Sequence, residues 1–149
     1  MEPAKAPLVF RWMKPRGEIL NRPVVLLVED EPLVRLTQVD ILREAEFWVL
    51  EAQDADEAFE LLKSRPEIDA ILTDVNMPGS MDGFEFARLV RQGWPEVAVL
   101  VISGKTGPGP GDLPPNATFL HKPIMPDDLI AALQDVMAKR PQGSVTSGS

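Results

Sequence analysis

Four separated stretches of the chain end in side chains able to handle a phosphoryl group or a hard cation. Val24-Val25-Leu26-Leu27-Val28 runs into Glu29, Asp30 and Glu31. Ile68 to Thr73 runs into Asp74, with Asn76 and Pro78 just beyond. Val97 to Ile102 runs into Ser103, and Ala117-Thr118-Phe119-Leu120 ends near Lys122-Pro123. Carboxylates brought this close repel one another, and some would take up protons unless a counter-charge is present. A hard cation supplies that charge: Mg²⁺ binds through one or two carboxylates and keeps positions open for a phosphoryl oxygen. An Asp carboxylate is a competent covalent phosphoryl acceptor, and phosphoryl transfer asks mainly for positioning and charge neutralisation. Lys122 suits one equatorial oxygen, the metal a second, and the Ser103 hydroxyl a third.

These residues meet only if the elements between them place the four runs side by side. Val24–Val28 is β-branched and aliphatic, as expected of a buried parallel strand, and the other three runs are short and mostly apolar. Pro32 suits the first turn of a helix that should reach about Glu46, with Leu33, Val34, Thr37, Ile41, Leu42 and Ala45 inward. Phe47-Trp48-Val49-Leu50 reads as a second strand. Asp54, with Glu57 three residues on, starts a second helix whose apolar stripe is Ala55, Ala58, Phe59, Leu61 and Leu62, and Pro66 ends it. Asp82 starts a third, with Phe84, Phe86, Ala87, Leu89 and Val90, closed by Trp94-Pro95. Residues 104–116 are rich in Gly and Pro, which disfavour a helix interior by about 1 and 3 kcal/mol per residue, so a helix between the fourth and fifth strands should be short or missing. Asp127 and Asp128 open the last helix, with Leu129, Ile130, Leu133, Val136 and Met137 on one face.

The alternation of strands and helices predicts a three-layer α/β fold with a five-stranded parallel sheet. The flavodoxin-like order 2-1-3-4-5 makes strands one, three, four and five consecutive neighbours, about 4.8 Å apart. Ligands of such sheets bind outside the carboxyl ends of the strands, where Glu29, Asp30, Asp74, Ser103 and Lys122 would converge.

The 149 residues suffice for one core. No cysteine is present, which excludes disulfides, thiolate zinc sites and Cys nucleophiles. No apolar run approaches the roughly 20 residues of a membrane span, and a cytoplasmic protein is expected. The net charge is −8, yet residues 1–22 are basic, with Lys5, Arg11, Lys14, Arg16 and Arg22 against Glu2 and Glu18. The body is therefore still more acidic and should not bind nucleic acid directly. Residues 1–22 read as a flexible extension, 23–139 as the folded domain, and 140–149, rich in Gly and Ser, as a disordered tail.

Val28-Glu29-Asp30-Glu31-Pro32, Asp74-Val75-Asn76-Met77-Pro78 with Met81-Asp82-Gly83, Val101-Ile102-Ser103-Gly104 and His121-Lys122-Pro123 together resemble the receiver domain of two-component response regulators, over about residues 23–139. The resemblance implies that Asp74 accepts a phosphoryl group from a histidine kinase or phosphotransfer protein. It implies that Glu29, Asp30, Asp74 and the backbone carbonyl of Asn76 ligate Mg²⁺, that Ser103 and Lys122 sense the phosphoryl group, and that Phe119 holds the place of the switch aromatic. It also implies a switch that signals by protein contact, as a monomer or weak homodimer, and not an enzyme on other substrates. Three features depart from the family pattern: Glu29 where Asp is common, a loop from Pro78 to Asp82 one residue longer, and the altered 104–116 connection. Two alternatives are a degenerate receiver that only binds a partner and an aspartyl-phosphate phosphohydrolase. The latter would need a second Asp two residues past the nucleophile, where Asn76 stands.

Overall fold

The computed structural model describes residues 22–79, 81–105 and 107–139. The tail reading, and all of the extension reading except Arg22, lie outside them. Nine elements follow in order: β1 (Val24–Val28), α1 (Pro32–Glu44), β2 (Trp48–Ala52), α2 (Ala55–Ser64), β3 (Ala70–Asp74), α3 (Gly83–Gly93), β4 (Ala98–Ser103), β5 (Ala117–His121) and α4 (Pro126–Lys139). The strands form one parallel sheet in the order β2-β1-β3-β4-β5.

Side-chain alternation along the strands divides the core in two. Leu26, Val28, Ile71, Val99 and Val101 pack with Ala58, Leu62, Phe86 and Val90, on the face that α2 and α3 cover. Leu27, Leu72, Leu100 and Ile102 pack with Val39, Leu42, Leu133 and Val136, on the face that α1 and α4 cover. β1, β3 and β4 are buried at every position, whereas the edge strands β2 and β5 are mostly half-buried. Strands covered on both faces have no alternation to display, hence their unbroken apolar runs.

The helix starts follow local chemistry. Pro32 occupies the first turn of α1. Asp54 Oδ1 accepts the Glu57 N–H at 2.8 Å while Glu57 Oε1 accepts the Gln53 N–H at 2.7 Å, a near capping box. Asp82 Oδ1 accepts the Glu85 N–H at 3.0 Å.

Two expectations need correction. First, α1 stops at Glu44 rather than about Glu46, because Glu46 adopts φ 70°. The Glu46 N–H bonds the Arg43 carbonyl at 2.9 Å and the Phe47 N–H bonds the Leu42 carbonyl at 3.0 Å, the two bonds of a Schellman ending. The turn drives Phe47 into the core beside Leu42, so β2 begins at Trp48 and reaches Ala52 instead of spanning Phe47–Leu50. Second, the buried face of α1 is Gln38, Val39 and Leu42, whereas Leu33 and Thr37 are exposed. Both sets fit helical spacing, and the sheet selects the set that meets Val25 and Leu27. In α3, Phe84, Phe86, Ala87 and Val90 are buried while Leu89 lies at the surface.

A fourth helix is present, α4, and it follows β5. The connection from β4 to β5 runs through bends and turns, with no helical segment among its described residues. Arg88 Nη1 donates to the Asp112 carbonyl at 2.9 Å and Arg91 Nε to the Pro115 carbonyl at 3.1 Å, which ties this connection to α3.

Candidate functional site

The site is assembled by strand register. Val28 pairs Thr73, Asp74 pairs Ile102, and Ser103 pairs His121, so Glu29, Asp74, Ser103 and Lys122 all lie at the carboxyl edge of the sheet. Main-chain bonds carry the ladder slightly past the strand ends: Glu29 N–H to Ala52 O at 3.0 Å, Val75 N–H to Ile102 O at 3.0 Å, and Lys122 N–H to Ser103 O at 2.8 Å. The backbone beneath each functional side chain is thereby held.

Asp74 is buried, and its Oδ2 lies 3.4 Å from the Lys122 ammonium, which stays partly open to solvent. This is an ion pair rather than a short hydrogen bond. Asp74 Oδ1 is buried with no hydrogen-bond partner. Glu29 is also buried; its Oε2 accepts the Glu31 N–H at 3.0 Å, and its Oε1 has no partner. Burial pushes the Glu29 carboxyl above its ordinary value, with the negative charges of Asp74 and Asp30 adding to the rise and the Glu31 N–H and Lys122 opposing it. Two buried carboxylates, each with one unsatisfied oxygen, in a field that disfavours further negative charge, are fitted to receive a cation.

Asp30 and Asn76 are exposed, at the rim. Among the described residues no three His, Cys, Asp or Glu side chains converge into a ready-made cage; the floor holds Glu29 and Asp74. Ser103 is buried, and its Oγ accepts the Lys105 N–H at 3.1 Å, so the hydroxyl is tied to the start of the β4–β5 connection. Phe119 is half-buried on β5. Its ring lies 6.1 Å from that of Phe84 and 6.0 Å from that of the exposed His121, with Gly107 of the β4–β5 connection beside it.

Two contributors had no role assigned from the sequence. A Cβ built on Gly83 would stand 2.3 Å from the Asp74 carbonyl oxygen and 2.8 Å from Val75 Cα, and the Gly83 N–H bonds Val75 O at 2.8 Å. Only glycine lets α3 begin against the strand end that carries Asp74; the sequence showed it as the glycine after a helix cap in Met81-Asp82-Gly83, with no role attached. The other is Arg35, whose Nη1 donates to Glu29 O at 2.7 Å. One arginine among the charges of α1 gave no signal of that contact.

An apolar groove of about 680 Å³ opens beside the site, lined by Leu33, Thr37 and Ile41 of α1, Gly104, Lys122 and Ile124. Leu33, Leu36 and Met125 are exposed, on α1 and just before α4. Leu33 and Thr37, expected to face the core, thus face this groove.

Residues 25–134 match the response regulator receiver domain family. The chain is 39% identical over 133 residues to the hydrogenase transcriptional regulatory protein HoxA of Cupriavidus necator, covering 84% of this chain and 26% of that protein. It is 33% identical to the sensor kinase CckA of Brucella abortus, spanning 13% of it, and 30% identical to the response regulator receiver protein CpdR of the same organism, covering 76% of this chain and 95% of CpdR. The chain therefore spans a small part of the first two relatives and nearly all of the third. Among solved structures, the receiver protein of Sinorhizobium medicae superposes with a TM-score of 0.75 at 30% identity, covering 81% of this chain and 98% of that one. The chemotaxis protein CheY4 of Vibrio cholerae gives 0.66 at 32% identity, covering 77% and 98%. With the sheet order, the strand-end residues and these likenesses in agreement, the chain belongs to the response regulator receiver domain family.

Proposed function

We propose that the chain is a phosphorylation-dependent switch of a two-component system or phosphorelay, accepting a phosphoryl group on Asp74. The observation that carries the reading is the Lys122–Asp74 ion pair at 3.4 Å, set over a buried carboxylate whose other oxygen has no partner. A carboxylate oxygen of Asp74 attacks phosphorus and the phosphorus–nitrogen bond of a donor phosphohistidine breaks. The electron pair leaves on the imidazole nitrogen, and an acyl phosphate remains on Asp74. Lys122 offsets charge on the transferring group, and Ser103 Oγ donates its hydroxyl proton to a phosphoryl oxygen once the side chain turns into the pocket.

Glu29 and Asp74, with Asp30 and the Asn76 carbonyl at the rim, are the residues that would hold Mg²⁺. When bound, the cation neutralises charge on the phosphoryl oxygens. The longer Glu29 arm suits contact through a water. Phe119, between Phe84 and the β4–β5 connection, is placed to report a movement of Ser103 through Lys105 to the surface near α3. The partners are a histidine kinase or phosphotransfer protein upstream and a protein target downstream. The groove beside Lys122 offers the donor protein an apolar approach. An acidic domain with no helix among its described residues long and apolar enough to cross a membrane suits neither direct nucleic-acid contact nor a membrane span, and a cytoplasmic switch fits best.

Incubation with a small acyl phosphate and Mg²⁺ tests the reading. Asp74 should be labelled, Asp74→Asn should abolish labelling, and chelation should suppress it. Failure of the folded wild-type chain to label with Mg²⁺ present would sink the proposal and leave a receiver that only binds a partner. Steady turnover of a phosphate ester would favour the hydrolase reading, against which Asn76 stands.

A further inference from the structure

Arg35 of α1 is engaged on two sides. Its Nη1 donates to the Glu29 carbonyl at 2.7 Å, and its Nε lies 3.2 Å from Glu51 Oε1 on β2. The Glu29 N–H meanwhile bonds Ala52 O, and Glu29 Oε2 accepts the Glu31 N–H. Every polar atom of Glu29 therefore has a partner except the buried Oε1. That matters because glutamate carries one more rotatable bond than aspartate, and aiming its carboxylate costs more side-chain entropy. A clamp on both neighbouring peptides removes the backbone part of that freedom before any ligand arrives.

We propose that Arg35 is a positioning residue for the Glu29 carboxylate. By spanning the Glu29 carbonyl and Glu51, it fixes the turn from which Oε1 is presented to a divalent cation. The inference rests on the reading of Glu29 and Asp74 as a Mg²⁺ site. Arginine suits the task because its planar fork supplies two separate donors to two acceptors, one just past β1 and one on β2, whereas a lysine ammonium is a single point. Outer partners of this kind typically govern metal affinity by 10- to 100-fold, as roughly measured across metalloproteins.

Calorimetric titration of the full unphosphorylated chain with Mg²⁺ tests this without recourse to phosphorylation. Arg35→Ala should raise the Mg²⁺ Kd about tenfold or more, with Arg35→Lys and Glu51→Gln intermediate, in keeping with the 10- to 100-fold range. In a Glu29→Gln background, Arg35→Ala should add less than about twofold, because the arm it positions no longer carries the charge. A merely structural Arg35 would lower thermal stability in both backgrounds and leave Kd within about twofold of its parent; that result overturns the inference, as does an equal loss of affinity in both backgrounds. If Arg35→Ala fails to fold, Arg35→Lys and Glu51→Gln in the two backgrounds decide by the same criteria. A folded wild-type chain that binds no Mg²⁺ would overturn the metal reading itself, and with it the role of Arg35.

Discussion

Gly83→Ala separates what helix propensity expects from what packing dictates. Gly83 opens α3 without a positive φ, so by backbone preference alone alanine should stabilise the domain by about 0.4–1 kcal/mol. The tertiary structure opposes this. The new methyl would lie 2.3 Å from the Asp74 carbonyl oxygen and 2.8 Å from Val75 Cα, both main-chain atoms of a buried strand end. No rotamer relieves a Cβ clash, so the start of α3 or the end of β3 must move. Overpacking of this kind costs about 1–3 kcal/mol. Set against the propensity gain, the net loss is at most about 2.6 kcal/mol and centres on about 1.3 kcal/mol, a fall in Tm of about 5 °C for a domain of this size. Gly93, at the other end of α3, is the control, since nothing lies within 4 Å of its Cβ position; Gly93→Ala should be neutral or stabilising by up to about 1 kcal/mol. Urea unfolding of the three proteins, with acyl-phosphate labelling of Asp74 alongside, makes the comparison. Labelling of Gly83→Ala should slow by about tenfold or more, because the displaced main chain carries the acceptor. A Gly83→Ala protein as stable as wild type, labelling at the wild-type rate, would refute the reasoning.

Glu46→Gly should stabilise the domain by about 1 kcal/mol, since the residue at φ 70° ends α1 in a conformation that costs a non-glycine residue roughly that much; the urea midpoint reads it directly. The Glu29 carboxyl is raised by burial, so its contribution to stability is fully present below about pH 4.5 and lost as pH rises through the higher folded value. Without divalent cations, wild type should therefore lose stability relative to Glu29→Gln as pH rises from that point, and a pH-independent difference between the two would contradict the burial argument. Leu33→Asp, at a position 76% exposed, should change stability by less than about 0.5 kcal/mol. It should slow phosphotransfer from a protein donor by about fivefold or more while leaving labelling by a small acyl phosphate unchanged, as expected for a contact residue of an apolar interface. Equal rates with the protein donor would remove the groove from the docking surface.

The sequence by itself determined the alternation of elements and the strand-end positions of Glu29, Asp74, Ser103 and Lys122, while the strand pairing decided the sheet order. It could do so because strands buried on both faces must be continuous apolar runs, and because the polar residue that ends each run marks the rim of the sheet. Asp54 and Asp82 were likewise legible as helix caps, since capping is satisfied within three or four residues of chain. Only the tertiary structure decided which face of α1 is buried. Leu42 was expected inward and is buried, with Ile41 and Ala45 packed against the core, but Leu33 and Thr37 are exposed and Gln38 and Val39 are buried instead; the choice is made by Val25 and Leu27 beneath the helix. Only the tertiary structure, too, placed Gly83 against the Asp74 carbonyl and Arg35 on Glu29. Contacts between main-chain atoms far apart in sequence leave no pattern in residue types. Periodicity reports burial, and burial does not specify which neighbour does the burying.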